Sequence, residues 1–186
     1  MPVNQVIKNC RSQMDKSVDF TKQQLGKIRT GRASASLVDS VTVDYYGSPA
    51  PLSQTASISV PDARTIMIQP FDRNLINDIE KAIRQADLGF NPQNDGTVIR
   101  VPVPPLTEER RKEFVKVAKK YAEEGKVSVR SVRRDHMEEL KKLEKNKDIS
   151  EDDRKRGEDE VQKETDIHVS QIEDIAQKKE KELMED

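Results

Sequence analysis

The sequence predicts an α+β protein: an elongated three-helix bundle interrupted by a small inserted domain of short strands and one helix. Three observations carry this. Segments at about 4–29, 107–147 and 150–183 each place apolar or small residues at steps of three and four, the period of an amphipathic helix. Between the first two, from Val38 to Pro105, the apolar period falls to two and prolines become frequent, the texture of short strands and turns. The composition, 33% hydrophobic and 4% aromatic against 36% charged, supplies too little apolar volume for a compact sphere but suits long helices joined by narrow stripes.

The first helix is predicted over about Asn4–Arg29, with Ile7, Cys10, Met14, Val18, Thr21, Leu25 and Ile28 as its stripe. It runs into KIRTGRAS, where Gly31 suits a positive-φ helix C′ position and Lys27, Arg29 and Arg32 suit the negative end of the helix dipole. Val41, Val43 and Tyr45 alternate with polar residues as a half-buried strand, and Gly47 follows. The prolines of SPAPL confine any strand there to an edge. Ala56, Ile58 and Val60 form a second alternating strand, closed by a turn at Pro61-Asp62, and TIMIQ at 65–69 forms a third. Asp72 is placed to cap a helix carrying Leu75, Ile76, Ile79, Ala82, Ile83 and Ala86, ended by Gly89. The Asn94-Asp95-Gly96 turn leads to a last strand over Thr97–Val101.

Pro102, Pro104 and Pro105 stiffen the chain before Thr107, the predicted cap of a helix of roughly 40 residues and 60 Å. Its stripe is Phe114, Ala118, Tyr121, Gly125, Ser128, Val132, His136, Leu140 and Leu143. Ser150, with Asp153 three residues on, resembles a capping box and starts the last helix, whose stripe is Val161, Thr165, His168, Ile172, Ile175 or Ala176, and Leu183. Gly157 costs that helix about 1 kcal/mol relative to Ala, so its first turns are expected to be weak. Three stripes on three helices close most economically as one bundle. The bundle is therefore discontinuous, residues 1–30 plus 105–186, with 31–104 inserted. Two connections at one place, through Thr30 and Gly31 and through Pro104 and Pro105, make a hinge axis.

The formal net charge of −1 hides a segmental pattern: +5 over residues 1–32, −3 over 33–106, +4 over 107–149 and −7 over 150–186. The basic segments are candidates for nucleic-acid binding. A single cysteine excludes an internal disulfide framework and fits a reducing compartment, with Cys10 a small buried hydrophobe on its stripe. No secretory run or bilayer-spanning segment is visible, so a cytoplasmic protein without a membrane partner is expected, as a monomer. Phosphate-loop, dinucleotide, zincin and serine-hydrolase motifs are absent, and neither an enzyme nor a cofactor is expected. His136 and His168 fall about 18 Å and about 30 Å from the turn near Asp148 along successive helices, too far apart to share a metal ion. Asp152-Asp153 and Glu158-Asp159-Glu160 read as a solvated acidic face.

The remaining chemistry lies on the long helix, where Lys112, Lys116, Lys119, Lys126, Arg130 and Arg133 recur on a face distinct from the apolar one, with Arg134 alongside. Guanidinium forks suit bidentate phosphate contacts, and a row of cations can follow a nucleic-acid backbone. The competing reading is a solvated coiled-coil face paired to Glu113, Glu123 and Glu138, and composition alone does not separate the two. Few aromatics interleave with the cations, which favours phosphate and shape recognition of folded RNA over base stacking.

Five segments carry a resemblance: KIRTGRAS at 27–34, YYG at 45–47, PLTEERRKE at 105–113, VRRD at 132–135 and DISEDD at 148–153. In order and spacing they resemble the bacterial ribosome recycling factor family along essentially the whole chain; the acidic tail after Lys178 carries no matching motif. The resemblance implies an L-shaped pair, a three-helix bundle and an inserted β/α/β domain joined by a two-strand hinge. It implies a translation factor that acts after peptide release with elongation factor G and GTP to split the spent ribosome. The bundle would dock on large-subunit rRNA near the peptidyl-transferase centre and the intersubunit bridges. Arg130, Arg133 and Arg134 would contact rRNA phosphates, with Arg29, Arg32, Lys112, Lys116 and Lys119 as further contacts and Gly31 with Pro104–Pro105 serving the hinge. The alternative is a helical coiled-coil scaffold or chaperone-like protein; a third option is a general RNA-binding protein.

Overall fold

The computed structural model describes residues 2–185. It resolves into two compact units, one of residues 1–30 and 107–186 and one of Gly31–Leu106. The first holds α1 (Pro2–Gly26), α4 (Glu108–Lys145) and α5 (Glu151–Met184), which pack pairwise against one another. The second holds β1 (Thr42–Tyr45), β2 (Ser48–Pro51), the single turn α2 (Leu52–Thr55), β3 (Ala56–Asp62), β4 (Thr65–Pro70), α3 (Ile76–Gln85), β5 (Gln93–Asn94) and β6 (Ile99–Pro102).

The bundle core follows the stripes with one systematic shift. On α4 the buried residues are Ala118, Ala122, Gly125, Val129, His136 and Leu140. Tyr121 is half-buried, and Ser128 is exposed with its hydroxyl 2.8 Å from that of Ser17 on α1. Tyr121 is too large for the seam, because the helices approach at Gly125, and the smaller Ala122 turns inward instead. A Cβ on Gly125 would lie 2.2 Å from Thr21 Oγ1 and 3.2 Å from Ile172 Cδ1, so this glycine touches both other helices. Gly157 does the same near the far end, where a Cβ would meet Leu140 Cδ2 at 3.0 Å and Val3 Cγ1 at 3.2 Å. The propensity cost expected at Gly157 is therefore offset by packing, and α5 is continuous through it. On α1 the buried set begins earlier than predicted, with Val3 and Val6. On α5 it is Ala176, not Ile175, that faces inward.

The helix ends obey capping rules. Thr107 Oγ1 accepts from Arg110 N at 3.2 Å, and Ser150 Oγ accepts from Asp153 N at 3.1 Å. Between α4 and α5 the chain reverses through Lys147, at φ 63°, and Asp148 N donates to Leu143 O at 2.9 Å while Ile149 is buried.

The prediction of Gly31 as a helix C′ residue is corrected. Helix α1 stops at Gly26, and Lys27 N and Ile28 N donate to Gln24 O and Leu25 O in a tighter closing turn. Gly31 does have a positive φ, 78°, but its lack of a Cβ serves the outgoing strand: a Cβ there would lie 3.0 Å from Leu106 Cγ and 3.1 Å from Leu106 N. Incoming and outgoing chain thus run side by side in the inserted unit, and Arg64 Nη1 donates to Gly31 O at 3.2 Å.

Within that unit β1 and β2 form a two-stranded antiparallel ribbon through Tyr46 (φ 50°) and Gly47 (φ 90°), and β3-β4-β6-β5 form a second antiparallel sheet. Pro49 and Pro51 sit in β2, an edge strand, as their missing N–H requires. The turn placed at Pro61-Asp62 falls two residues later, at Ala63-Arg64; Pro61 sits instead where the β3 register shifts, on another edge. Strand β5 carries no sequence signal, because two residues are too few for any period. Asp72 Oδ1 accepts from Asn74 N at 3.0 Å and starts a short 3₁₀ turn leading into α3. The core of the unit joins Val38, Val41, Val43, Leu52, Ile66, Ile68, Ile79, Ile83, Ile99 and Val101.

Candidate nucleic-acid interface

Basic residues on α4 do not form one continuous strip; the neighbouring helix divides them. Toward its C-terminal half α4 meets α5 along an open groove of about 500 Å³ lined by Arg133, Arg134, Met137, Glu138, Lys141, Arg154 and Glu158. Four cations face two carboxylates there. Arg154 is already met by Glu144 and by Glu158, whose Oε1 lies 2.9 Å from its Nη1; the Glu158 bond is the main reason its guanidinium pKa is raised. Arg133, Arg134 and Lys141 are left facing the single carboxylate of Glu138, a positive surface suited to phosphate.

Arg133 is half-buried, and its Nε donates to Gln162 Oε1 on α5 at 2.7 Å. Arg134 is exposed with no hydrogen bond or ion pair to any described residue. One turn earlier, Arg130 Nη1 lies 3.6 Å from Glu123 Oε1, a loose pair between exposed side chains that solvent screens. The structure therefore brings Arg133 and Arg134 together, adds Lys141, and leaves Arg130 at the margin. Lys141 follows Arg134 by seven residues, two turns on the same face, a spacing visible in the sequence.

The other cations stand apart. Lys119 lies about 21 Å along the helix from Arg133, in a groove shared with Lys126, Glu123, Glu173 and Glu180, where carboxylates outnumber cations. Lys126 is taken up by Glu173 of α5 at 3.1 Å and is mostly buried. Lys112 pairs with Glu108 at 3.1 Å, and Lys116 is exposed. Arg29 and Arg32 are exposed, and each makes a polar or electrostatic contact of its own. Thr30 belongs to the helical unit; Gly31, Pro104 and Pro105 belong to the inserted one.

No aromatic side chain is among the described residues that line this groove. Tyr45 and Tyr46 meet edge to face at 4.9 Å in the inserted unit, and the Tyr46 hydroxyl bonds the Asp72 carboxylate, which holds Asp72 below the usual carboxylate range.

The histidines are structural. His136 Nδ1 lies 2.7 Å from Val132 O, and His168 sits with Nδ1 2.6 Å from Glu164 O and Nε2 2.7 Å from Asp15 Oδ1. Arg11 clasps the buried Glu164 carboxylate at 2.6 and 2.8 Å, so α1 and α5 share a charged seam. No group of three or more His, Cys, Asp or Glu among the described residues could hold a metal. Nor is any helix among them long and apolar enough to cross a membrane.

Fold and surface together define a helical-bundle protein with an inserted sheet unit and a cation-rich groove between α4 and α5. The family sequence model described as ribosome recycling factor matches residues 21–184. A ribosome-recycling factor of Oleidesulfovibrio alaskensis is 58% identical over 180 residues, 97% of this chain and 98% of its own length; one of Geobacillus sp. is 56% identical over 183 residues, 98% and 99%. A solution structure of a ribosome recycling factor superposes with a TM-score of 0.72 at 43% identity over 99% of this chain and 98% of its own. A Thermus thermophilus ribosome recycling factor, from a model in which it and Escherichia coli elongation factor G are bound to the E. coli post-termination complex, gives 0.62 at 44% identity with full coverage of both chains. The chain belongs to the ribosome recycling factor family.

Proposed function

We propose that this chain dissociates post-termination ribosomes into subunits together with elongation factor G and GTP, binding large-subunit rRNA and disrupting intersubunit bridges. The observation that carries the rRNA contact is the α4–α5 groove, where Arg133, Arg134 and Lys141 outweigh one unpaired carboxylate. Phosphates would seat against these residues, with Arg130 at the rim. Lys112, Lys116, Arg29 and Arg32 are outlying contacts, and Lys119 is the weakest because carboxylates surround it. The bundle needs no covalent step: it competes with RNA for RNA, while the GTPase hydrolyses nucleotide. Thr30, Gly31, Pro104 and Pro105 form the hinge about which the inserted unit reorients, favoured by two stiff connections at one place. The setting is the cytoplasm and the acting species a monomer. The coiled-coil scaffold alternative is disfavoured because the three stripes cover one another within the chain.

The test is splitting of post-termination ribosomes by the protein with elongation factor G and GTP, followed by light scattering. Splitting above the GTPase-alone control is expected, and none overturns the proposal. Arg133→Ala is expected to weaken large-subunit binding and flatten its salt dependence.

A further inference from the structure

Arg133 differs from the other groove cations in that its guanidinium is both held and unspent. Its Nε donates to Gln162 Oε1 at 2.7 Å, while neither Nη has a hydrogen bond or ion pair with a described residue. Gln162 is itself oriented, because its Nε2 donates to Asp166 Oδ1 at 3.0 Å. An ionised carboxylate only accepts, so Asp166 must face the amide nitrogen, and the amide oxygen is thereby turned to Arg133. Asp166 and Gln162 lie one turn apart on α5, and the chain of two bonds crosses to α4. Arg134 has no such anchor, Arg130 leans on Glu123 through Nη1, and Arg154 is engaged by Glu144 and Glu158.

We propose that Gln162 and Asp166 are positioning residues that preset the Arg133 fork for an RNA phosphate. This rests on the reading of the groove as the rRNA contact. Anchoring Nε leaves Nη1 and Nη2 to reach two phosphate oxygens, and freezing the side chain before binding removes an ordering cost otherwise met on association. Gln162 carries no charge, so it acts on affinity without changing the number of counterions released, whereas the Asp166 carboxylate orients Gln162 at the cost of one negative charge beside the groove.

The experiment measures equilibrium binding of the full chain to purified large ribosomal subunits across a salt series, with melting temperatures recorded in parallel. Gln162→Ala is expected to bind about 3- to 10-fold more weakly with an unchanged salt slope and melting temperature. Asp166→Asn, which keeps the shape and lets the Gln162 amide turn either way but also removes a negative charge that opposes phosphate, is expected to weaken binding less than Gln162→Ala does, by up to about 2-fold at high salt where that charge is screened, and it serves if Gln162→Ala folds poorly. Arg133→Ala is expected to lose at least about 10-fold and to lower the slope by about one. Adding Gln162→Ala to Arg133→Ala should then cost nothing more. Wild-type binding by Gln162→Ala and Asp166→Asn alongside a weakened Arg133→Ala would overturn the positioning role and leave the groove reading standing. A Gln162→Ala loss that adds in full to that of Arg133→Ala would assign Gln162 a separate role and also overturn it. An Arg133→Ala protein that binds like wild type would overturn both.

Discussion

Gly125→Ala tests a point where one helix touches both of the others. The new methyl would lie 2.2 Å from Thr21 Oγ1 and 3.2 Å from Thr21 Cβ and Ile172 Cδ1, so α1 or α5 must give way. Overpacking of this kind costs about 1–3 kcal/mol. Thr21 is buried, its χ1 is stiff, and its hydroxyl donates to Ser17 O at 2.9 Å; turning it aside forfeits about 1 kcal/mol more. Against this, Ala is favoured over Gly in a helix interior by about 1 kcal/mol. The net expectation is destabilisation by about 1–3 kcal/mol, read from urea unfolding followed by far-ultraviolet circular dichroism. Gly26→Ala is the control: nothing lies within 4 Å of its added carbon, and it should be neutral or stabilising by up to about 1 kcal/mol. In a Thr21→Ala background the 2.2 Å clash disappears and the cost of Gly125→Ala should fall below about 1 kcal/mol. A Gly125→Ala protein as stable as Gly26→Ala would refute the packing described.

Two further perturbations probe the seam between α1 and α5. Arg11→Ala leaves the buried Glu164 carboxylate without its guanidinium and should cost about 1–3 kcal/mol, toward the lower end because Arg11 is itself more than half exposed. Replacing both, as Arg11→Ala with Glu164→Leu, should recover most of the loss in urea unfolding, and no recovery would place the cost elsewhere. Burial, and next the Glu164 charge, push the Cys10 thiol from its ordinary 9.0 up to about 11 despite the opposing Arg11. The folded state therefore keeps the proton longer, so the associated stability is intact below about pH 9 and declines as the pH rises toward about 11. At about pH 8 the folded thiol should react with a disulfide reagent at least about 100-fold more slowly than in urea, and equal rates would exclude the buried position.

Much of this protein was legible from side-chain period alone. A stripe at steps of three and four needs a partner helix, an alternation of two needs a sheet, and a change between them marks an insertion. Thr107, Asp72 and Ser150 were legible as starts because a side-chain oxygen before a helix has one common use. Tertiary structure decided what depends on the distance between elements. Ala122 and Val129 turn inward over Tyr121 and Ser128, and Gly125 and Gly157 become contact points, because the bundle closes more tightly than local spacing reveals. Gly31 is required by Leu106, a residue 75 positions away in sequence. On the long helix the sequence determined that cations share a face; only α5 determined which remain available. Lys126 is drawn to Glu173, Lys119 is set among carboxylates, and Arg133 is turned by Gln162 toward the groove it shares with Arg134 and Lys141. Charge is a property of a residue, but the field a ligand meets is set by every charged group packed around it.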